Sequence, residues 1–164
     1  MQHWLRDNAF KCLTLLAFLS LSAEASAQAV RSDANCTYQT CALGLAPVWN
    51  GLAVTRGSEQ REVTVLGFFF PTDISRTFEA DREALDAAAD AVRVRSVAAG
   101  LTDGGIVLAA TGIARALFRR DWDKLSTALT VAGGGALGAS VPFQFAADGH
   151  LSRAVWLFNR RYAK

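Results

Sequence analysis

The chain has 164 residues, is 51% hydrophobic and 20% charged, and balances 17 basic against 15 acidic side chains for a formal net charge of +2. That balance excludes the basic footprint of a nucleic-acid-binding domain, and the length allows one small domain. The averages conceal a partition: charges collect in residues 56–95, whereas 97–147 holds few outside a short loop. Three stretches, 12–23, 97–118 and 125–147, are apolar enough to need separate explanations.

Residues 1–27 have the three-part pattern of an export signal. Arg6 and Lys11 form a basic start, Cys12 to Leu21 an apolar core, and Ala25-Ser26-Ala27 a cleavage site that leaves Gln28 as the first mature residue. The apolar core is roughly a dozen residues, short of the about 20 that span a bilayer, so cleavage is expected over an uncleaved anchor. Of the three cysteines, Cys12 leaves with this segment, and Cys36 and Cys41 remain in an exported chain. Disulfides persist in such compartments, so a Cys36–Cys41 bridge is expected. Two free thiols or a metal site are the alternatives, but two thiolates without a nearby histidine make half a zinc site. No metal or cofactor is expected.

Residues 28–71 read as an extracytoplasmic β-meander entered through the Cys36–Cys41 loop. Leu43 and Leu45 alternate with small residues, and Asn50-Gly51 between two apolar runs signals a type I′ hairpin turn. A second turn falls at Gly57-Ser58-Glu59-Gln60, and Glu62 to Phe68 forms a third strand stopped by Pro71. Three short strands need a helix or a membrane surface on one face. Residues 72–96 supply an acidic juxtamembrane helix that starts near Phe78, with Asp73 and Thr77 as candidate caps. Phe78, Leu85 and Val92 recur at heptad spacing along it.

Residues 97–118 and 125–147 are each long enough to cross a hydrocarbon core of about 30 Å. The basic loop 119–124 makes them antiparallel neighbours, a transmembrane hairpin. Gly100, Gly104, Gly112, Gly134 and Gly138 are the expected packing positions, since small-xxx-small spacing lets helix backbones approach in lipid. Asp103 interrupts the first span, and an ionisable intramembrane group is a functional candidate by default. Gln144 is its expected polar partner; the alternative puts Asp103 at the interface beside Thr102. Arg115 lies near enough to the end of its span to snorkel. The basic loop favours a cytoplasmic hairpin tip, which puts the tail outside.

Residues 148–164 read as a basic amphipathic helix. Leu151, Val155, Phe158 and Tyr162 share a face, with Arg153, Trp156, Arg160, Arg161 and Lys164 around it. The expected place is the membrane interface; docking on the small sheet is the alternative. The fold class is thus an α+β membrane protein, with a three-stranded meander, a juxtamembrane helix, a two-helix hairpin and a tail helix. The expected partners are the lipid bilayer and either further copies or another envelope protein.

At residues 36–43, at Arg56-Gly57 and at Leu151-Ser152-Arg153-Ala154-Val155-Trp156, the chain resembles a loose group of small bacterial envelope proteins. These pair an exported cysteine-bearing β segment with a two-span hairpin and a Trp/Arg-bearing tail. The resemblance implies the bacterial cytoplasmic membrane as location and the same architecture, and it implies no activity. Asp103 and Pro142 depart from the group's hairpins. No catalytic constellation is present: His150 is the one histidine after residue 27, expected to serve at a helix start, and Gly133-Gly134-Gly135 lacks the lysine of a phosphate loop. The expected function is a structural or partner-binding envelope protein, with an oligomeric pore or transport accessory as the alternative.

Overall fold

The computed structural model describes residues 36–162, so the expected export signal at 1–27 and Lys164 of the tail lie outside it. A single helical turn, α1 (Tyr38–Cys41), leads into strands β1 (Leu43–Val48), β2 (Gly51–Arg56) and β3 (Arg61–Gly67). A 3-10 turn at Ser75–Phe78 precedes the two long helices α2 (Arg82–Arg119) and α3 (Lys124–Asn159). The protein is therefore mixed α+β: a three-stranded antiparallel sheet in the order β1-β2-β3 and two long helices.

Cys36 and Cys41 are bonded with a Cα separation of 5.5 Å, closing the loop around α1. The β2–β3 turn falls where the Gly57–Gln60 signal puts it, with Gly57 and Gln60 at positive φ. The β1–β2 turn differs by one residue. Val48 pairs with Gly51, so the central residues are Trp49 and Asn50, neither of which has positive φ. A type I′ turn is thereby ruled out. Gly51 is required for another reason: a Cβ there would lie 2.1 Å from the Leu66 carbonyl oxygen.

Helices α2 and α3 are continuous, and the boundaries expected near residues 96 and 147 do not interrupt them. Helix α2 is capped by Asp81, whose carboxylate accepts from the Ala84 amide at 3.1 Å, and not by Asp73 or Thr77. It ends with Arg120 in the left-handed region and the Asp121 amide returned to the Ala116 carbonyl, a Schellman closure made without glycine. At about 1.5 Å per residue, its 38 residues extend ~57 Å. It is the one described helix long and apolar enough to cross a membrane. By overall composition the expectation of two such spans is met by α2 alone, since the glycine run, serines and threonines, Pro142 and Gln144 of α3 dilute its apolar content.

The core sits where one end of this helix pair meets the sheet. Leu43, Val54 and Leu66 pack against Ile74 and Phe78, the start of α2, and Leu151, Val155 and Phe158 of α3. Phe78 and Phe158 meet edge to face at 6.0 Å between centroids. The tail is thus corrected from a separate interfacial helix to the last turns of α3, its apolar face covered by protein. Arg153, Trp156, Arg160 and Arg161 remain exposed and Tyr162 half-buried. An apolar helix face satisfies lipid and sheet alike, and here the sheet takes it.

The docking is fixed by one side chain. Asn159 accepts from the Leu43 amide at 2.8 Å through Oδ1 and donates to the Leu43 carbonyl at 2.7 Å through Nδ2. A carboxamide thereby replaces the neighbour strand that edge residue Leu43 lacks. Replacing Asn159 by alanine leaves both buried backbone groups unpaired, at about 1–3 kcal/mol for each unsatisfied group. Asn159→Asp, which retains the acceptor alone, should fall between alanine and wild type. Denaturant unfolding of the three proteins measures the order.

Candidate functional site

The helix pair follows a strict heptad of small residues. In α2, Ala84, Ala91, Ala98, Gly105 and Gly112 are all buried, as are Ala88, Arg95, Thr102 and Ala116 at the alternating positions. In α3 the same spacing takes Ser126, Gly133, Ser140, Ala147 and Ala154. Seven-residue spacing keeps each set on one seam of two supercoiled helices, and small side chains let the backbones approach. The approach is close enough to need glycine. A Cβ on Gly105 would lie 2.8 Å from the Gly133 carbonyl oxygen, and one on Gly112 would lie 2.7 Å from that of Ser126.

Of the five expected packing glycines, only Gly112 is in this seam. Gly100, Gly104, Gly134 and Gly138 have open space where a side chain would project. The packing positions are their neighbours Gly105 and Gly133, one residue away in each helix and therefore on a different face. Asp103 is exposed and Gln144 half-buried. Arg95 beside Asp148 and Gly105 against Leu137 set the antiparallel register, which puts Asp103 about a turn away from Gln144. The expected Asp103–Gln144 partnership is not formed.

Outside the seam the arrangement inverts. Ile106, Val107, Ile113, Leu117 and Phe118 of α2 project outward with Leu125, Val131, Val141, Phe143 and Phe145 of α3. Phe118 is 86% and Phe145 72% exposed. Small residues inside and large apolar residues outside reverse the order of a water-soluble helix pair.

Each end of this zone carries a polar fastening. At the tip, the Arg115 guanidinium donates to Asp123 at 2.8 and 3.1 Å, so it has a partner and is not free to snorkel. The same carboxylate caps α3 by accepting from the Ser126 amide at 2.7 Å. The Arg115 bonds first, then those of Ser126, hold the Asp123 carboxyl well below the usual carboxylate range. At the base, Arg95 is the one charged residue of the α2 seam and is fully buried. It donates through Nη2 to Asp148 and stacks its guanidinium over the Phe68 ring at 5.1 Å. Its Nε and Nη1 have no partner among the described residues. This group joins α2, α3 and the end of β3, and no local sequence pattern announces it.

Two polar depressions lie on the base. A cavity of about 520 Å³ between the disulfide loop and the β2–β3 turn is lined by Gln39, Arg56, Glu59, Arg61 and Glu62. A shallower one of about 250 Å³ is lined by Glu83, Asp86, Asp90, His150 and Arg153. His150 is thus inside α3 and not at a helix start. Among the described residues, no group of three or more His, Cys, Asp or Glu side chains is placed to hold a metal ion.

Removing one partner of a buried ion pair strands the other charge, at about 3–5 kcal/mol. Asp148→Ala should destabilise toward the lower end of that range, because its side chain is 30% exposed. The double variant R95M/D148L should recover most of the loss, since matched apolar replacement removes the stranded charge. Denaturant midpoints of the single and double variants measure this.

No protein-family model, no curated protein and no solved structure matches the chain.

Proposed function

We propose that the protein is a membrane-anchored bacterial envelope protein. Its distal α2–α3 hairpin crosses the bilayer and holds the sheet base at the surface for a structural or partner-binding role. The observation that carries this reading is the inversion of the hairpin, small residues inside and large apolar residues outside. In water, such a surface would be far larger than the apolar patches monomers tolerate. In lipid it is the favoured arrangement, because apolar association gives no drive between helices and close packing of small residues must supply it. Residues 97–118 and 125–147 extend ~33 and ~35 Å at 1.5 Å per residue, sufficient for the hydrocarbon core.

The small and polar residues within the span of α3 are consistent with this. Ser126, Gly133 and Ser140 are buried against α2, and Thr130 and Gln144 are half-buried. Hydropathy averages every face of a helix, whereas lipid meets only the outer one. With the export signal removed, the base lies outside the cytoplasmic membrane and Arg119, Arg120 and Lys124 lie within, as the positive-inside rule requires. The basic residues of the tail lie on the other side and run against that rule, and one of them, Arg160, pairs with Glu83 at 3.0 Å.

Arginine at mid-span on the lipid face costs about 2.5–3.5 kcal/mol on insertion scales. Val107→Arg should therefore shift the protein from the carbonate-resistant membrane fraction toward the soluble or degraded pool, with Val107→Leu unchanged. Wild-type protein recovered as a soluble monomer would refute the reading.

A second reading, an oligomer of hairpins forming a pore or transport accessory, is favoured by the outward Gly100 and Gly104 beside exposed Asp103. These positions leave room for another helix. Disulfide crosslinking of G104C in native membranes should give a ladder of homo-oligomers on this reading. A single heterologous band favours the anchored binder.

A further inference from the structure

The sheet has two ends, and they differ in chemistry. Its Leu43 end, with Arg56 and Arg61, is held by Asn159 near the end of α3. The opposite end carries the Trp49-Asn50 turn and the segment after β3, joined by the Phe68 amide donating to the Asn50 carbonyl at 2.7 Å. Phe68 lies under Arg95, which pairs with Asp148. From Asn159 to Asp148 the helix falls ~16 Å at 1.5 Å per residue. Strand β1 covers a similar ~17 Å from Leu43 to Val48 at about 3.3 Å per residue. The strands therefore run alongside the helices, and the aromatic end of the sheet stops at the level of Arg95. The outward apolar zone begins two residues further along α2, at Val97.

At that level three large aromatics are presented together: Trp49 at 91%, Phe70 at 83% and Phe69 at 41% exposure. We infer that this rim is a lipid-binding surface, seated in the headgroup layer of the leaflet from which the hairpin emerges. The inference rests on the membrane reading of the hairpin and adds to it how the base sits. Two observations select lipid over a protein partner. The rim stands at the level where the outward apolar zone of the hairpin begins, at Val97. Further, α2 extends ~36 Å from Arg95 to Arg119 at 1.5 Å per residue, beyond a hydrocarbon core of about 30 Å and within the 40–45 Å of the whole bilayer. The rim and exposed Trp122 at the tip thus fall at opposite interfaces, where tryptophan is enriched. The partner is a phospholipid interface, met by indole and phenyl rings, with Arg95 and Phe68 holding the rim against the helices.

The test uses the full-length chain in phosphatidylethanolamine/phosphatidylglycerol vesicles, with one tryptophan retained and the others replaced by phenylalanine. Lipids brominated near the glycerol or near the chain end quench at different depths. The Trp49-only and Trp122-only proteins should shift emission to the blue and lose intensity to the shallow quencher more than to the deep one. Trp156-only protein, on the far part of α3, should show neither effect. Trp122 quenched while Trp49 stays unquenched would overturn the rim and leave the hairpin reading standing. Quenching of Trp156 equal to that of Trp49 would also overturn it, since the base would then lie in another orientation. If no tryptophan is quenched, the membrane reading fails and the rim with it. As an independent measurement, W49S/F69S/F70S in the otherwise wild-type chain should retain membrane insertion and expose the base to added protease. Unchanged protection in that variant would refute the seated rim.

Discussion

The close approach of α2 and α3 is the constraint on which the rest of the structure depends. Gly105, Gly112 and Gly133 leave no room for a β-carbon, and the alanines and serines at heptad intervals continue that closeness along the pair. Small side chains bury little apolar area, so the seam contributes through dispersion contacts and backbone proximity more than by removing oil from water. A pair built this way gains little by hiding apolar groups between its helices. Beyond the sheet, most of its large apolar residues are consequently on the outside.

That inversion divides the molecule. Near the start of α2 and the end of α3, the outward face meets the sheet, and Phe78, Leu151 and Phe158 form an ordinary hydrophobic core with Val54 and Leu66. Beyond Arg95 there is no sheet, and the same helices present their apolar residues to the surroundings. One continuous scaffold thus carries two kinds of surface without a break in either helix. This explains why segment boundaries drawn from hydropathy do not coincide with helix ends.

Much of the base was legible in the sequence. Period-two alternation and the Gly57–Gln60 signal locate the strands, and the short spacing of Cys36 and Cys41 anticipates the bridge. Elsewhere a local rule competed with a long-range one. Gly51 looked like the second residue of a hairpin turn but is glycine because the Leu66 carbonyl comes so near. Gly100, Gly104, Gly134 and Gly138 satisfied small-xxx-small spacing within each helix. The pairing instead follows the seven-residue period through Gly105 and Gly133, a pattern evident only when both helices are read together. The amphipathic tail was legible as a face but not as an interface, because lipid and sheet reward the same apolar stripe. The Arg95–Asp148 and Leu43–Asn159 pairs join residues 53 and 116 positions apart, and nothing in the neighbourhood of either residue identifies its partner.

Those two long-range polar contacts answer a problem the seam creates. Layers of alanine and serine resemble one another, so outside the contacts of Gly105, Gly112 and Gly133 the packing of small residues does little to oppose a heptad slip. Coiled coils of uniform layers resolve this with a buried polar residue that is satisfied in one register alone, at some expense in stability. Arg95 has that character: it is the sole charge in the α2 seam, fully buried, and paired only when Asp148 stands beside it. A slip of seven residues would strand its guanidinium and at the same time carry Asn159 away from Leu43. Both contacts lie in the part of the pair that faces the sheet, where water and protein supply polar partners. The apolar half of the seam is mostly small residues, with hydroxyls that turn back on their own helix, such as Thr102 donating to the Ala98 carbonyl and Thr130 to that of Ser126. Register is therefore set in the base by Arg95 and Asn159, and held along the hairpin by the close contacts of Gly105, Gly112 and Gly133 and by Arg115 on Asp123 at the tip.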